Sequence, residues 1–423
     1  VERRDRATSW RTSFAGAREI TAGPLDSLTS AGVDDRAEPT DVAAAASLLK
    51  APETQIDPFS TYDALRDQCP VQVGSKSWVL LRYDHVRTAL ADPEQFSSNV
   101  RDSENPAFRH SPLVFDDPPQ HTHVRRVLAK AFTPRRIAEA EPWVRALAHE
   151  CVDTMLSLEA AGDAPTDFVE HFADPLPVRV IATMLGISTE RHRDFKRWSN
   201  DRSYVVYNFR GARTVELERA IEGVTAQHEF FVDVARERVR HPGDDLISAL
   251  VHTEVDGDRL AIDEAAGVCS VLLSAGNLTT TRLLGSLIAR LASDDGEWQR
   301  VRTDEGTRDR IVEQVLREQS PVQTPIRRTT TDVEMAGKTI PKGTFVTIGI
   351  GAANRDAAGA ELPHLAFGHG IHYCIGAALA RLEASVSLEV LTTRAPLLRV
   401  DGAAVPEVGM SHRGYAALPL RLS

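Results

Sequence analysis

A cysteine at position 374 lies in the run Phe367-Gly368-His369-Gly370-Ile371-His372-Tyr373-Cys374-Ile375-Gly376, just before a helix-forming run from Ala377 to Val390. A thiol on the last loop residues before a helix meets unpaired backbone N–H groups and the positive end of the helix dipole. That setting lowers a thiol's pKa and favours the thiolate, which serves as nucleophile, metal ligand or redox centre. Gly368, Gly370 and Gly376 relieve steric limits where the backbone turns or presses against a flat object. Phe367 can cover the sulfur. His372 can reach an acidic group at the edge of that object, and Arg381 adds positive charge one or two turns into the helix. The plainer reading is a buried structural cysteine, since free cysteines are usually inert core. It leaves Phe, His and three Gly together unexplained.

The rest of the chain is compatible with a large enzyme core. It has 423 residues, 42% hydrophobic and 26% charged, an ordinary globular composition. A net charge of −11 argues against a nucleic-acid partner. Cys69, Cys151, Cys269 and Cys374 show no paired or metal-ligand spacing, so a reducing cytoplasm is the natural location. No apolar run approaches the ~18–20 residues that span a bilayer, so no membrane association is expected. Residues 1–55 read as a mostly irregular N-terminal extension, without a signal peptide's apolar stretch and with one short helix near Val42–Lys50. The domain proper is expected over 56–423.

Trp78–Leu81 reads as a strand leaving into a helix at His85–Leu90. Ser97 to Phe115 is polar and aperiodic, a long loop of the kind that often carries function. Helical periodicity then dominates, over His121–Ala131, Pro134–Leu158, Asp174–Leu185, Glu190–Asn200, Glu216–Arg240, Asp244–Thr253 and Asp263–Leu291. Asp263 is the expected N-cap of the last. Val346–Ile350 reads as a strand, and Leu418–Leu422 as one closing a hairpin. The expected class is mainly α with small β-sheets.

The cysteine run resembles the haem-binding loop of the cytochrome P450 family, with six typed positions in ten residues. Other stretches are similar to that family too: Asp117-Pro118-Pro119 before His121 and Arg125, the run Asp174-Pro175-Leu176-Pro177-Val178, and Ala275-Gly276-Asn277-Leu278-Thr279-Thr280. The resemblance covers about residues 57–423. It implies the P450 fold as a single large domain, holding haem b (iron protoporphyrin IX) with Cys374 as axial ligand. Phe367, Gly368, Gly376, Ala275 and Gly276 would contact the haem. His121, Arg125, Arg327 and His372 would bind its propionates, with Arg327 favoured over its neighbour Arg328 on spacing. Residues i and i+4 of a helix share one face, so His121 and Arg125 can grip one carboxylate together. Thr279 and Thr280 would interrupt the oxygen-side helix and help deliver protons to O2, the co-substrate.

The implied activity is monooxygenation of a bound small molecule. Electrons would pass from NAD(P)H through a ferredoxin reductase and a ferredoxin, docked on a basic patch at Arg126, Lys130, Arg135 and Arg136. Substrate contacts are expected from Val114, Phe115, Tyr207, Asn277, Pro325, Ile326 and His412. The aromatic run Tyr204–Phe209 suggests a large, partly polar substrate such as a polyketide or peptide natural product, though those aromatics also fit a core role. Two alternatives stay open: oxidative coupling that forms a C–C, C–O or C–N bond, and a haem-free scaffold or activator.

Three positions depart from the family pattern. Leu278 stands in place of an acid. Gln314, in Gln314-Val315-Leu316-Arg317, stands in place of the Glu of Glu-x-x-Arg; Gln314 could still hydrogen-bond Arg317, and Glu313 is one residue out of register. Only six residues separate Asp356 from Pro363, where the family carries a longer meander with an Arg that pairs with that Glu.

Overall fold

The structure, a computed structural model, describes residues 39–101, 108, 111–162, 164–208 and 214–422. Its helices, in chain order, are α1 (Pro39–Lys50), α2 (Pro52–Ile56), α3 (Phe59–Arg66), α4 (Tyr83–Ala91), α5 (Gln120–Ala131), α6 (Pro134–Ala161), α7 (Pro175–Leu185) and α8 (His192–Asn208). There follow α9 (Val215–Arg240), α10 (Leu246–His252), α11 (Ile262–Leu291), α12 (Asp295–Thr303), α13 (Glu305–Glu318), α14 (Ile350–Asn354) and α15 (Ala377–Arg394).

Helix α11 is apolar on almost every side, so only the centre of the fold can satisfy it. It packs against α7, α8, α9 and α15. Its first half, with Val268, Cys269, Leu272 and Leu273, joins side chains of α5, α7 and α9 in one apolar cluster. Its second half, with Leu283, Leu284, Leu287 and Ile288, joins α6, α13 and α15 in another. Residues 275–281 therefore sit at the junction of two cores. Helix ends are fixed locally: Thr133 caps α6 by accepting from Arg136 N–H at 3.3 Å, and Thr214 caps α9 by accepting from Leu217 N–H at 3.2 Å.

A five-stranded sheet runs in the spatial order Val71–Gly74, Ser77–Leu80, Phe345–Ile348, Ile326–Thr329, Phe96–Ser97. The Ser77–Leu80 and Phe345–Ile348 pair is parallel and its other pairs are antiparallel. Alternation along Ile326–Thr329 turns Arg327 inward and leaves Arg328 exposed over the Phe345 ring.

Several expectations shift. Helix α1 lies inside the expected extension, yet Ala45 and Leu49 are buried in the core beneath the sheet, so ordered packing begins before residue 56. Asp263 does not cap α11; Ala261 precedes the helix in extended conformation, and its N–H is taken by the Glu264 carboxylate at 3.0 Å. Asp263 instead pairs with His228 at 2.8 Å. Helix α8 runs eight residues past Asn200, because its buried face continues through Asp201, Arg202 and Val205. The last strand, Pro419–Arg421, closes no hairpin. Its chain neighbour Tyr415–Ala417 pairs with Val405–Pro406, and Pro419–Arg421 lies between Arg399–Val400 and Thr166–Asp167.

Candidate active site

The Cys374 loop is built by two left-handed glycines. Gly368 has φ +74°, and its N–H bonds Leu365 O at 2.8 Å. Gly370 has φ +70°, and a Cβ there would meet Leu90 O at 2.6 Å, so no other residue fits without displacement. Cys374 N–H then donates to Phe367 O at 2.8 Å, which folds the cysteine back over Phe367. Cys374 is the exposed cysteine of the four; the others are buried. The residue keeps solvent access although its thiol is closely surrounded by protein. Gly376 has an ordinary φ, and a Cβ there would lie 3.9 Å from Cys374 Sγ. The expected lowering of the thiol pKa is overturned. Burial pushes it up, and the Gly376 N–H, Arg125 and Arg381 only partly oppose this. The dipole of a helix end is weaker than the desolvation of a sulfur anion.

Near the cysteine loop the fold gathers basic side chains from distant parts of the chain, two arginines and two histidines that burial keeps neutral. His121 and Arg125 come from α5, Arg327 from a strand and His372 from the loop. The His121 and His372 rings lie 4.3 Å apart. His372 Nε2 shares a hydrogen bond with Ser98 Oγ at 2.8 Å. Burial, then Arg327, His121 and Arg125, holds the His372 pKa down to about 3. Burial lowers Arg327 to about 10, and lowers His121 and Arg125 as well. Among the described residues neither Arg125 nor Arg327 has a carboxylate within ion-pair distance, and the buried His121 Nε2 has no partner. Nearby Asp117 is occupied by Ser97 Oγ and the Ser98 N–H, and Asp116 by Arg101 and the Leu113 N–H. Buried cations without counter-charge are costly. The donor set fits a bound group that brings two carboxylates, as the propionates of haem would.

Helix α11 supplies a second wall. Ala275 is exposed and Gly276 and Thr279 are half-buried, while Leu272–Ser274, Asn277, Leu278 and Thr280–Leu284 are buried. Positions i, i+1 and i+4 share one face, so a central helix opens onto space only there. Ile375, next to Cys374, packs into the same apolar cluster as Leu272 and Leu273. Thr279 Oγ1 donates to Ala275 O at 2.8 Å. Two residues expected at this face are buried among protein groups. Thr280 is 3% exposed, and Asn277 is fully buried with its Oδ1 accepting from Thr281 at 3.4 Å. A Cβ at Gly276 would meet Ile181 at an ordinary 3.5 Å, so packing against the protein alone does not require a glycine there.

Of the remaining substrate candidates, Val114 is exposed and Phe115 packs edge-on to Phe108 at 4.8 Å. Pro325 and Ile326 are half-buried beside Arg327. Tyr207 and His412 meet each other: Tyr207 Oη and His412 Nε2 are 3.3 Å apart and the rings are perpendicular. Val205 is core, with Tyr204 and Val206 packed against its cluster; Phe209 lies outside the described residues. Sequence reasoning missed Ser98, which carries no motif. It also missed Arg282, which donates to Glu407 at 2.7 Å beside His412.

A further expectation fails. Gln314 is exposed, and Arg317 donates not to it but to Gly359 O and Leu362 O of the short 356–363 turn. The basic residues at the expected docking patch have local partners. Arg126 pairs with Asp256, Arg135 with Glu139, Arg136 with Asp244, and Lys130 donates to Glu254 O.

The chain is similar to known proteins over most of its length. The family model described as Cytochrome P450 matches residues 67–304. The chain is 36% identical to the erythromycin C-12 hydroxylase of Saccharopolyspora erythraea over 77% of this chain and 83% of that protein. It is 32% identical to the 6-deoxyerythronolide B hydroxylase of the same organism, over 88% and 98%. The solved structure of cytochrome P450 CYP109Q5 from Chondromyces apiculatus superposes with a TM-score of 0.76 at 35% identity, covering 88% of this chain and 97% of that one.

Proposed function

The chain belongs to the cytochrome P450 family of haem-iron monooxygenases, and from that premise we propose that it hydroxylates a macrolide-sized polyketide with Cys374 as the iron ligand. The observation that carries the site assignment is the Cys374 thiol in its glycine loop, together with Arg125 and Arg327, which have no carboxylate within ion-pair distance among the described residues, and with His121 and His372 as further hydrogen-bonding groups. Cys374 would hold the iron. His121, Arg125, Arg327 and His372 would hold the propionates, and Phe367 would shield the sulfur from water. Ala275, Gly276 and Thr279 would face the opposite side of the ring. Haem bound through a thiolate supplies O2 activation and O–O cleavage; the residues supply placement and protons.

Leu278 has no proton to give, so the protein's nearest donor on that face is the Thr279 hydroxyl. It rests on Ala275 O and can turn to a water. The substrate class is supported by the names of the two hydroxylases, and Val114, Phe115, Pro325, Tyr207 and His412 are the proposed substrate contacts. Redox-partner proteins supply electrons to the family; a ferredoxin with an NAD(P)H-dependent reductase is the proposed source. Among the described residues no helix is long and apolar enough to cross a membrane. A cytoplasmic location is proposed on the unpaired cysteines.

The test is turnover of a macrolactone with reduced ferredoxin and isotopically labelled O2. One labelled oxygen in the product is expected. A coupled product without labelled oxygen would replace hydroxylation by oxidative coupling.

A further inference from the structure

The usual ion pair that braces a cysteine loop is missing at Gln314, and the segment that would meet it is short. The fold nevertheless braces the loop, from one residue earlier. Helix α13 is anchored in the core by Ile311, Val312, Val315 and Leu316. One step along a helix is a ~100° turn, and at Glu313 it points the carboxylate at the Cys374 loop.

Glu313 grips both arms of that loop. Its Oε1 accepts from Arg381 Nε at 2.6 Å and its Oε2 from Arg381 Nη2 at 3.0 Å, a two-pronged arrangement. Oε2 also lies 3.0 Å from His364 Nε2. His364 Nδ1 accepts the Ala366 N–H at 3.2 Å, so the proton sits on Nε2 and points at Glu313. His364 precedes the loop and Arg381 follows it, on the helix that Cys374 leads into. Arg381 lies over the Phe367 ring at 4.5 Å, and Phe367 O holds the Cys374 N–H at 2.8 Å. The chain of contacts from α13 to the cysteine backbone is continuous.

We propose that Glu313 is the positioning residue that fixes the Cys374 loop, through Arg381 and His364, in place of Gln314. Arg317 instead donates to Gly359 O and Leu362 O of the 356–363 turn. The spectral part of the test rests on Cys374 as iron ligand; the exchange part does not.

The experiment is hydrogen exchange on the full, haem-loaded chain, with the reduced carbon monoxide spectrum recorded in parallel. Losing charge-assisted hydrogen bonds should speed exchange at the Gly368 and Cys374 amides by about tenfold or more in E313Q. Amides within α9 should be unchanged, and the thiolate-type spectrum should decay faster. Q314A should match the wild type in both. Should E313Q fail to fold, R381K keeps the charge but loses the two-pronged geometry and should loosen the same amides. Wild-type exchange and spectrum in the folded Glu313 or Arg381 variant would overturn the proposal, as would equal loosening in Q314A. A wild-type protein lacking the thiolate spectrum would defeat the Cys374 assignment alone, and the exchange comparison would still decide the role of Glu313.

Discussion

Arg327 and Arg328 show how a single residue's role is decided by phase. They are adjacent, equally charged and indistinguishable by composition. Strand alternation buries the first at 8% exposure and leaves the second outside. On α11, burial separates Ala275 and Thr279 from Asn277 and Thr280, four residues that motif spacing grouped. If Arg125 and Arg327 meet haem propionates, each contributes about 1.5–3 kcal/mol as a charge-assisted partner. Arg125→Ala or Arg327→Ala should then speed haem transfer to an acceptor globin by about 10- to 100-fold; unchanged rates in both would remove the propionate role. Thr279→Ala should lower product formed per NAD(P)H consumed, with the balance appearing as peroxide. Full coupling in that variant would shift proton supply to the substrate.

Elements were legible where local chemistry sets them. The long helical runs, the strand at Trp78 and the glycine loop follow from periodicity and from backbone freedom. The loop carries a direct prediction: Gly370→Ala places a side chain at φ +70° against Leu90 O, and forcing that conformation costs about 1–3 kcal/mol, read as a lower urea midpoint. An unchanged midpoint would show that the loop relaxes freely. The role of Glu313 on helix α13 was not legible, because its partners are remote in sequence. Those partners, His364 and Arg381, are 51 and 68 residues away. The Glu313 carboxyl is held down to about 2, chiefly by the His364 hydrogen bond, with Arg381 adding to it. A depressed carboxyl pKa stabilises the folded state above the unfolded-state value, near 4.3, and that contribution fades as pH falls toward the folded-state value. The difference in Tm between wild type and E313Q should therefore be present at neutral pH and shrink across the window from about 4.3 down to about 2. A difference that persists unchanged through that window would assign the effect to packing.

At the scale of the whole molecule, class and domain type could be read from the sequence, and pairings could not. The parallel pairing of Ser77–Leu80 with Phe345–Ile348 joins segments far apart in sequence. So does the insertion of Pro419–Arg421 beside Thr166–Asp167. No local pattern encodes either. The cluster of basic side chains near Cys374 is likewise a product of topology, since α5, the Arg327 strand and the loop meet only in the folded chain. The account's central claim is that this convergence exists to hold a haem through Cys374. The most direct test is the carbon monoxide difference spectrum of the reduced protein, compared among wild type, C374S and C269S. A thiolate-type Soret band in wild type and C269S, lost in C374S, is the result predicted. A thiolate-type band that survives in C374S, or a wild-type protein that binds no haem, would contradict it.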